Sequence, residues 1–218
     1  MAQLFPRSAN WVVGASILAL LGVVGAATAI LLNINRLDYV SGVNTPLDQP
    51  VPFSHLHHVT GVGIDCRYCH TTVEEGAFAG IPPTETCMTC HSQIWTEAPM
   101  LEPVRASFRD ETPLEWTRVH DLPDFVYFDH SIHVSRGIGC ETCHGPVQEM
   151  PLVWKENTLN MEWCLECHRH PEKFMRPVDE VFNMSWEPPP EREELGRELM
   201  AQHQVEPALL TDCAVCHR

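Results

Sequence analysis

Apolar residues are distributed very unevenly along the chain. Positions 8 to 35 carry no charged side chain, and within them Trp11 to Leu32 reads WVVGASILALLGVVGAATAILL. At about 1.5 Å per residue this run makes roughly 33 Å of helix, enough to cross a bilayer core of about 30 Å. It predicts a transmembrane helix over 11–33, preceded by a short cytoplasmic segment, 1–10. Ala27-Thr28-Ala29 has the small-residue character of a signal-peptide cleavage site. The apolar run is longer than a usual signal core, so a retained anchor is the expectation. Trp11 and Tyr39 suit interfacial aromatic positions near its ends. Ala15, Ala19, Gly22, Ala26 and Ala29 step by four and three along one face, a seam that lets a second helix approach closely.

After residue 36 no comparable apolar period recurs. Most of the 18 prolines lie here, including Pro82-Pro83 and Pro188-Pro189-Pro190, and they favour irregular connections over long elements. The prediction is a mainly α chain with extensive loops and little sheet.

Candidate chemistry changes this picture. Cys66-Arg67-Tyr68-Cys69-His70 is a Cys-x-x-Cys-His pentad, and it recurs at Cys87/Cys90/His91, Cys140/Cys143/His144, Cys164/Cys167/His168 and Cys213/Cys216/His217, which accounts for all 10 cysteines. A Cys-x-x-Cys alone also suits zinc, a redox pair or a disulfide framework. None of those requires histidine directly after every pair. Attachment of a c-type haem does: two thiols add to the vinyl groups on one porphyrin edge, and the next residue must reach the iron from the same side. Five covalently attached haems are therefore expected, with His70, His91, His144, His168 and His217 as proximal ligands. Residues 37 to 218 offer so little polypeptide per haem that the porphyrins should form much of the core.

The segment Phe53 to His70, FSHLHHVTGVGIDCRYCH, has an echo in Phe128 to His144, FDHSIHVSRGIGCETCH, with one residue gapped between Val59 and Gly63. Each copy is followed by another pentad. The soluble region thus divides into a first diheme unit (34–118), a second (119–185) and a fifth-haem unit (186–218). His55/His58 and His130/His133 are each three apart, so on a helical turn both rings leave one face. They are the candidate distal ligands. Gly61, Gly63, Gly137 and Gly139 are expected to let the chain turn around the ring edge. For the remaining distal position His120 is favoured, with His203 as rival. His57 lies off the paired face, His170 sits close behind a proximal ligand, and Met161 offers a His/Met alternative. Doubly capped irons leave substrate no position to bind, so electron transfer rather than catalysis is expected.

Charge bears on partners. From residue 37 onward the acidic residues number 29 and the basic ones 12, which is 14 less Arg7 and Arg36, a net charge of −17. That excludes nucleic-acid phosphates as a partner and suits steering of a basic soluble electron acceptor, though it equally describes a solvated acidic face. Because c haem is attached outside the bacterial cytoplasm, the carboxy-terminal haem domain is expected on the periplasmic side of the cytoplasmic membrane, tethered by a single pass.

The FSHxxHV pattern before Cys-x-x-Cys-His resembles the class III multihaem cytochromes. That resemblance implies that His55 caps the haem of His70 and His130 that of His144, with His58 and His133 reaching adjacent haems. GAFAGIPPTETCMTCHSQIWTEAPMLEPVR, RVHDLPDFVYFDHSIHV and MEWCLECHR are similar to the pentahaem cytochrome c subunit of bacterial alternative complex III. This implies a quinol-oxidising assembly with an iron-sulfur subunit, polytopic quinol-binding membrane subunits and a monohaem cytochrome c, in which the chain relays electrons to a periplasmic carrier or oxidase and is no enzyme on its own. The competing readings are a self-sufficient quinol dehydrogenase of the anchored tetrahaem type and a multihaem nitrite reductase. The second is disfavoured because all five pentads end in His, where those reductases carry a lysine in the catalytic motif.

Overall fold

A computed structural model describes residues 5–34 and 36–217; the first four positions of the expected N-terminal segment, Asn35 and Arg218 lie outside the described residues. The chain forms two units, one running through Gly42 and one from Val43 onward. The first is dominated by the helix Ser8–Ile34, which carries no buried residue. It extends the expected span at both ends because the flanking residues are uncharged and continue the backbone ladder. Its polar side chains bond to its own carbonyls, Thr28 Oγ1 donating to Val24 O at 2.8 Å and Asn33 Nδ2 to Ala29 O at 2.7 Å. A helix so satisfied can face lipid. A single turn, Asp38–Ser41, follows and ends at Gly42 with φ +69°.

The second unit consists of short helices joined by loops, and among its described residues the only sheet-like pairings are the isolated bridges Val43 with Lys155 and Ile138 with Met175. Its longest helix, Arg192–His203, has 12 residues. The buried apolar side chains are small or flexible, chiefly Val73, Val104, Val134, Met150, Met175, Val181 and Leu199, and no aromatic is among them. One cluster joins Val51, Leu101 and Val104, and a second joins Val73, Val134 and Val181. The second draws on both expected diheme units, so packing crosses the boundary between them. Phe78, Ile81, Phe125 and Tyr127 stay exposed. A polypeptide core this thin is what the sequence predicts for a domain filled largely by cofactor.

The two copies of the repeated segment make matching ring contacts. Phe53 stacks on His58 with centroids 4.4 Å apart and Phe128 on His133 at 4.5 Å, while the edge contacts Phe53–His55 and Phe128–His130 measure 4.9 and 4.8 Å. The gapped residue has a definite place. In the second copy His130–Ser135 is an α-helix; in the first Leu56–Gly61 is a π-helix, the form that absorbs one extra residue within a turn. The closing bond is the same in both, Ile64 N to His58 O and Ile138 N to His133 O, each 3.0 Å. Of the four glycines expected to make the turn, Gly63 and Gly137 have positive φ, +79° and +77°. Gly61 and Gly139 do not. Gly139 is small for another reason, since a Cβ there would lie 2.3 Å from the Arg176 guanidinium carbon.

Gly63 and Gly137 share a backbone conformation but not surroundings: a Cβ on Gly63 meets nothing within 4 Å, whereas one on Gly137 would lie 2.1 Å from the Arg176 carbonyl oxygen. Gly63→Ala should therefore cost only the left-handed penalty of about 1 kcal/mol, and Gly137→Ala clearly more. Denaturant unfolding of the two variants checks this; equal losses would contradict the packing.

Candidate haem centres

Each Cys-x-x-Cys pair lies on a helical turn: Cys66–Cys69, Thr84–His91, Cys140–His144, Met161–Arg169 and Cys213–Cys216. Three of these turns are started by a side-chain cap. Asp65 accepts from Arg67 N at 2.8 Å, Asn160 from Trp163 N and Asp212 from Ala214 N, both at 2.9 Å. Winding places the two sulfurs, three residues apart, on one face. The following histidine is drawn in by its backbone, His70 N to Cys66 O and His217 N to Cys213 O, each 2.9 Å.

The histidine rings are aimed by a second set of bonds. Nδ1 of His70 lies 2.7 Å from Gly80 O, that of His91 3.2 Å from Ile94 O, that of His168 3.0 Å from Leu210 O and that of His217 3.0 Å from Phe125 O. Among the candidate distal residues His58 bonds Ser54 O at 2.8 Å, His130 Ala77 O at 2.7 Å and His133 Asp129 O at 2.7 Å. A carbonyl only accepts, so each Nδ1 is the protonated nitrogen and Nε2 keeps its lone pair. That is the tautomer and orientation a metal-binding imidazole needs.

Ring spacings test the fit to iron. Two imidazoles on one metal, each with a bond of about 2.0 Å and about 1.1 Å from nitrogen to ring centre, place their centroids roughly 6 Å apart. The observed separations are 6.3 Å for His58 and His91, 6.3 Å for His130 and His144, and 6.2 Å for His133 and His168. Burial, followed by the neighbouring His70, lowers the pKa of His55 to about 4. Burial first, then His120, His130, His70 and His55, push the pKa of His144 down to about 3. Burial likewise pushes the Cys140 and Cys143 thiols up to about 12 and Cys167 to about 11. The donor set therefore fits haem iron with neutral imidazoles on both faces.

The other histidines fall elsewhere. His120 packs edge-on against His144 with centroids 4.3 Å apart, too close for one iron between them, and its buried Nε2 has no protein partner. His170 lies 3.5 Å from the Glu172 carboxylate, His57 packs on Trp95 at 5.5 Å, and His203 closes the helix Arg192–His203. Met161 is well exposed.

Residues 126–218 match the family of cytochrome c7 and related cytochromes c. The chain is also 36% identical over 142 residues, 56% of its own length and 68% of the relative's, to the multiheme cytochrome c subunit of a menaquinone reductase from Nitratidesulfovibrio vulgaris (strain Hildenborough). The chain belongs to the multihaem cytochromes c. Membership implies covalently bound haem c on the Cys-x-x-Cys-His turns.

Sequence reasoning missed one residue of this cytochrome's haem-binding turns. Arg176 is buried beneath the third turn, paired with Glu141 inside the pentad, stacked 4.4 Å from the Trp186 ring and bonded through its N–H to Gly137 O at 2.8 Å. The glycine on either side of Ile138 was its only sequence signal, because both yield the space it occupies. Arg176→Met should leave the part-buried Glu141 carboxylate without its paired guanidinium, with only the more distant Arg192 nearby, and cost about 3 kcal/mol. Adding Glu141→Gln should recover part of that loss. Thermal unfolding of the haem-loaded variants checks both; a neutral Arg176→Met would remove the brace.

Proposed function

We propose that this multihaem cytochrome carries five haems and works as the membrane-anchored electron-transfer subunit of a quinol-oxidising complex of the alternative complex III type, passing electrons to a periplasmic carrier or oxidase. Bound haem c supplies one-electron exchange at iron. The chain's part is to grip, aim and cap. The observation that carries the reading is the set of opposed imidazoles near 6.3 Å, His58 with His91, His130 with His144 and His133 with His168. Such pairs would hold an iron from both sides and leave no place for substrate chemistry.

By the resemblance to class III cytochromes, His55 caps the site of His70. His120, whose buried Nε2 has no protein partner, is the remaining distal candidate. The relative's name links it to menaquinone, which supports a quinone-linked assembly here. The three sequence segments similar to the pentahaem subunit support alternative complex III in particular, and hence an iron-sulfur subunit, polytopic membrane subunits and a monohaem cytochrome c as partners. The exposed helix Ser8–Ile34, with its small-residue seam, suits a single-pass anchor packing beside a membrane partner, with the haem domain periplasmic.

Two measurements test this. Solubilised from native membranes, the chain should co-purify with polytopic subunits, and quinol should reduce the haems of that complex but not of the isolated chain. Rapid reduction of the isolated chain would favour the self-sufficient quinol dehydrogenase instead. His120→Ala should turn one low-spin haem high-spin by optical and paramagnetic resonance spectra; an unchanged spectrum would remove His120 from the ligand set.

A further inference from the structure

We infer that the five haem attachments form a row that does not follow chain order but runs second, first, third, fourth, fifth, so that electrons enter and leave through the second and fifth sites. The inference rests on reading all five pentads as haem attachments and goes beyond it to their arrangement.

Each step of the row is held by contacts between the polypeptide segments of neighbouring pentads. Second and first are joined by Tyr68, inside the first pentad, whose hydroxyl lies 2.8 Å from Thr89 Oγ1 inside the second. Residues of both, Ile64, Tyr68 and Cys90, line one apolar cleft. First and third are joined where the loop after His70 receives the second repeat. His130 Nδ1 bonds Ala77 O at 2.7 Å, Ser131 N bonds Gly76 O at 3.2 Å, and Val73 packs on Val134 and Val181. Third and fourth are joined by Asn157, which donates to Cys143 O at 3.1 Å from the loop leading into the fourth turn, and by His133, which leaves the second repeat to face His168. Fourth and fifth are joined by His168, bonded to Leu210 O three residues before Cys213.

Exposure points independently to the same ends. Cys90 of the second pentad and Cys213 of the fifth are the exposed cysteines, whereas those of the first, third and fourth are all partly covered. His144 of the third, in the middle of the row, has the rings of His120 and His130 at 4.3 and 6.3 Å. A relay needs this polarity: a covered middle limits stray reduction, and open ends let partners approach closely.

The test uses the full-length haem-loaded protein in detergent and reads haem–haem proximity rather than turnover. Nuclear Overhauser contacts between haem methyl groups should link second with first, first with third, third with fourth and fourth with fifth. A contact between second and fourth, between first and fifth, or between third and fifth, the last a rival because Tyr127 N also bonds Cys216 O at 2.8 Å, would overturn the order. In the same spectra followed through a redox titration, His58→Met should shift the second haem's midpoint and, among the others, shift the first several-fold more than the fourth or fifth. A larger shift at the fourth or fifth would also overturn it. Neither result depends on which complex the chain joins, so failure here and failure of the proposed complex are told apart.

Discussion

The bond from a histidine Nδ1–H to a backbone carbonyl is the interaction on which the rest of this cytochrome depends. Seven of the histidines at the candidate centres make it, and each time it fixes both the tautomer and the direction of the free Nε2. Four of the accepting carbonyls come from loops and turns, Gly80, Ala77 and Ile94 after the first two pentads and Phe125 before the second repeat; Leu210 ends the short helix Pro207–Leu210, and Ser54 and Asp129 lie one turn before the rings they hold. A loop-rich fold with little core of its own is therefore not a weakly specified one. Its loops are the parts that aim the ligands, and the backbone geometry that a long helix would have spent on itself is used on imidazoles.

The same bonds tie distant stretches together. His130 reaches Ala77 across 53 residues and His217 reaches Phe125 across 92. Such bonds make the ligand set and the tertiary fold one object. Arg176 adds a charged brace beneath the third turn, where it is itself almost fully buried. A guanidinium in such a place stabilises only if its partners remain, which is why Glu141, the Trp186 face and the two small neighbours at 137 and 139 belong to the same feature.

Much of this was legible in the residues. The pentads announce themselves by spacing, the long apolar run by the absence of charge, and the duplication by the matched phenylalanine, histidine and glycine positions. What could not be read was geometry set by small differences. One extra residue before Gly63 turns an α-helical turn into a π turn while preserving the closing bond from Ile64 to His58, and no hydrophobic period reports that. His120 was singled out by counting histidines, yet its contact with His144 depends on how the chain before the second repeat folds back. Arg176 looks like any other basic residue until the glycines at 137 and 139 are seen to make room for it.

The central claim is that every pentad holds an iron gripped by imidazole on both faces. Quantitative electron paramagnetic resonance of the oxidised, purified protein, with spins counted per polypeptide, tests it most directly. Five low-spin ferric centres with no high-spin signal are predicted; a high-spin signal amounting to one haem or more, or fewer than five ferric centres, would contradict it.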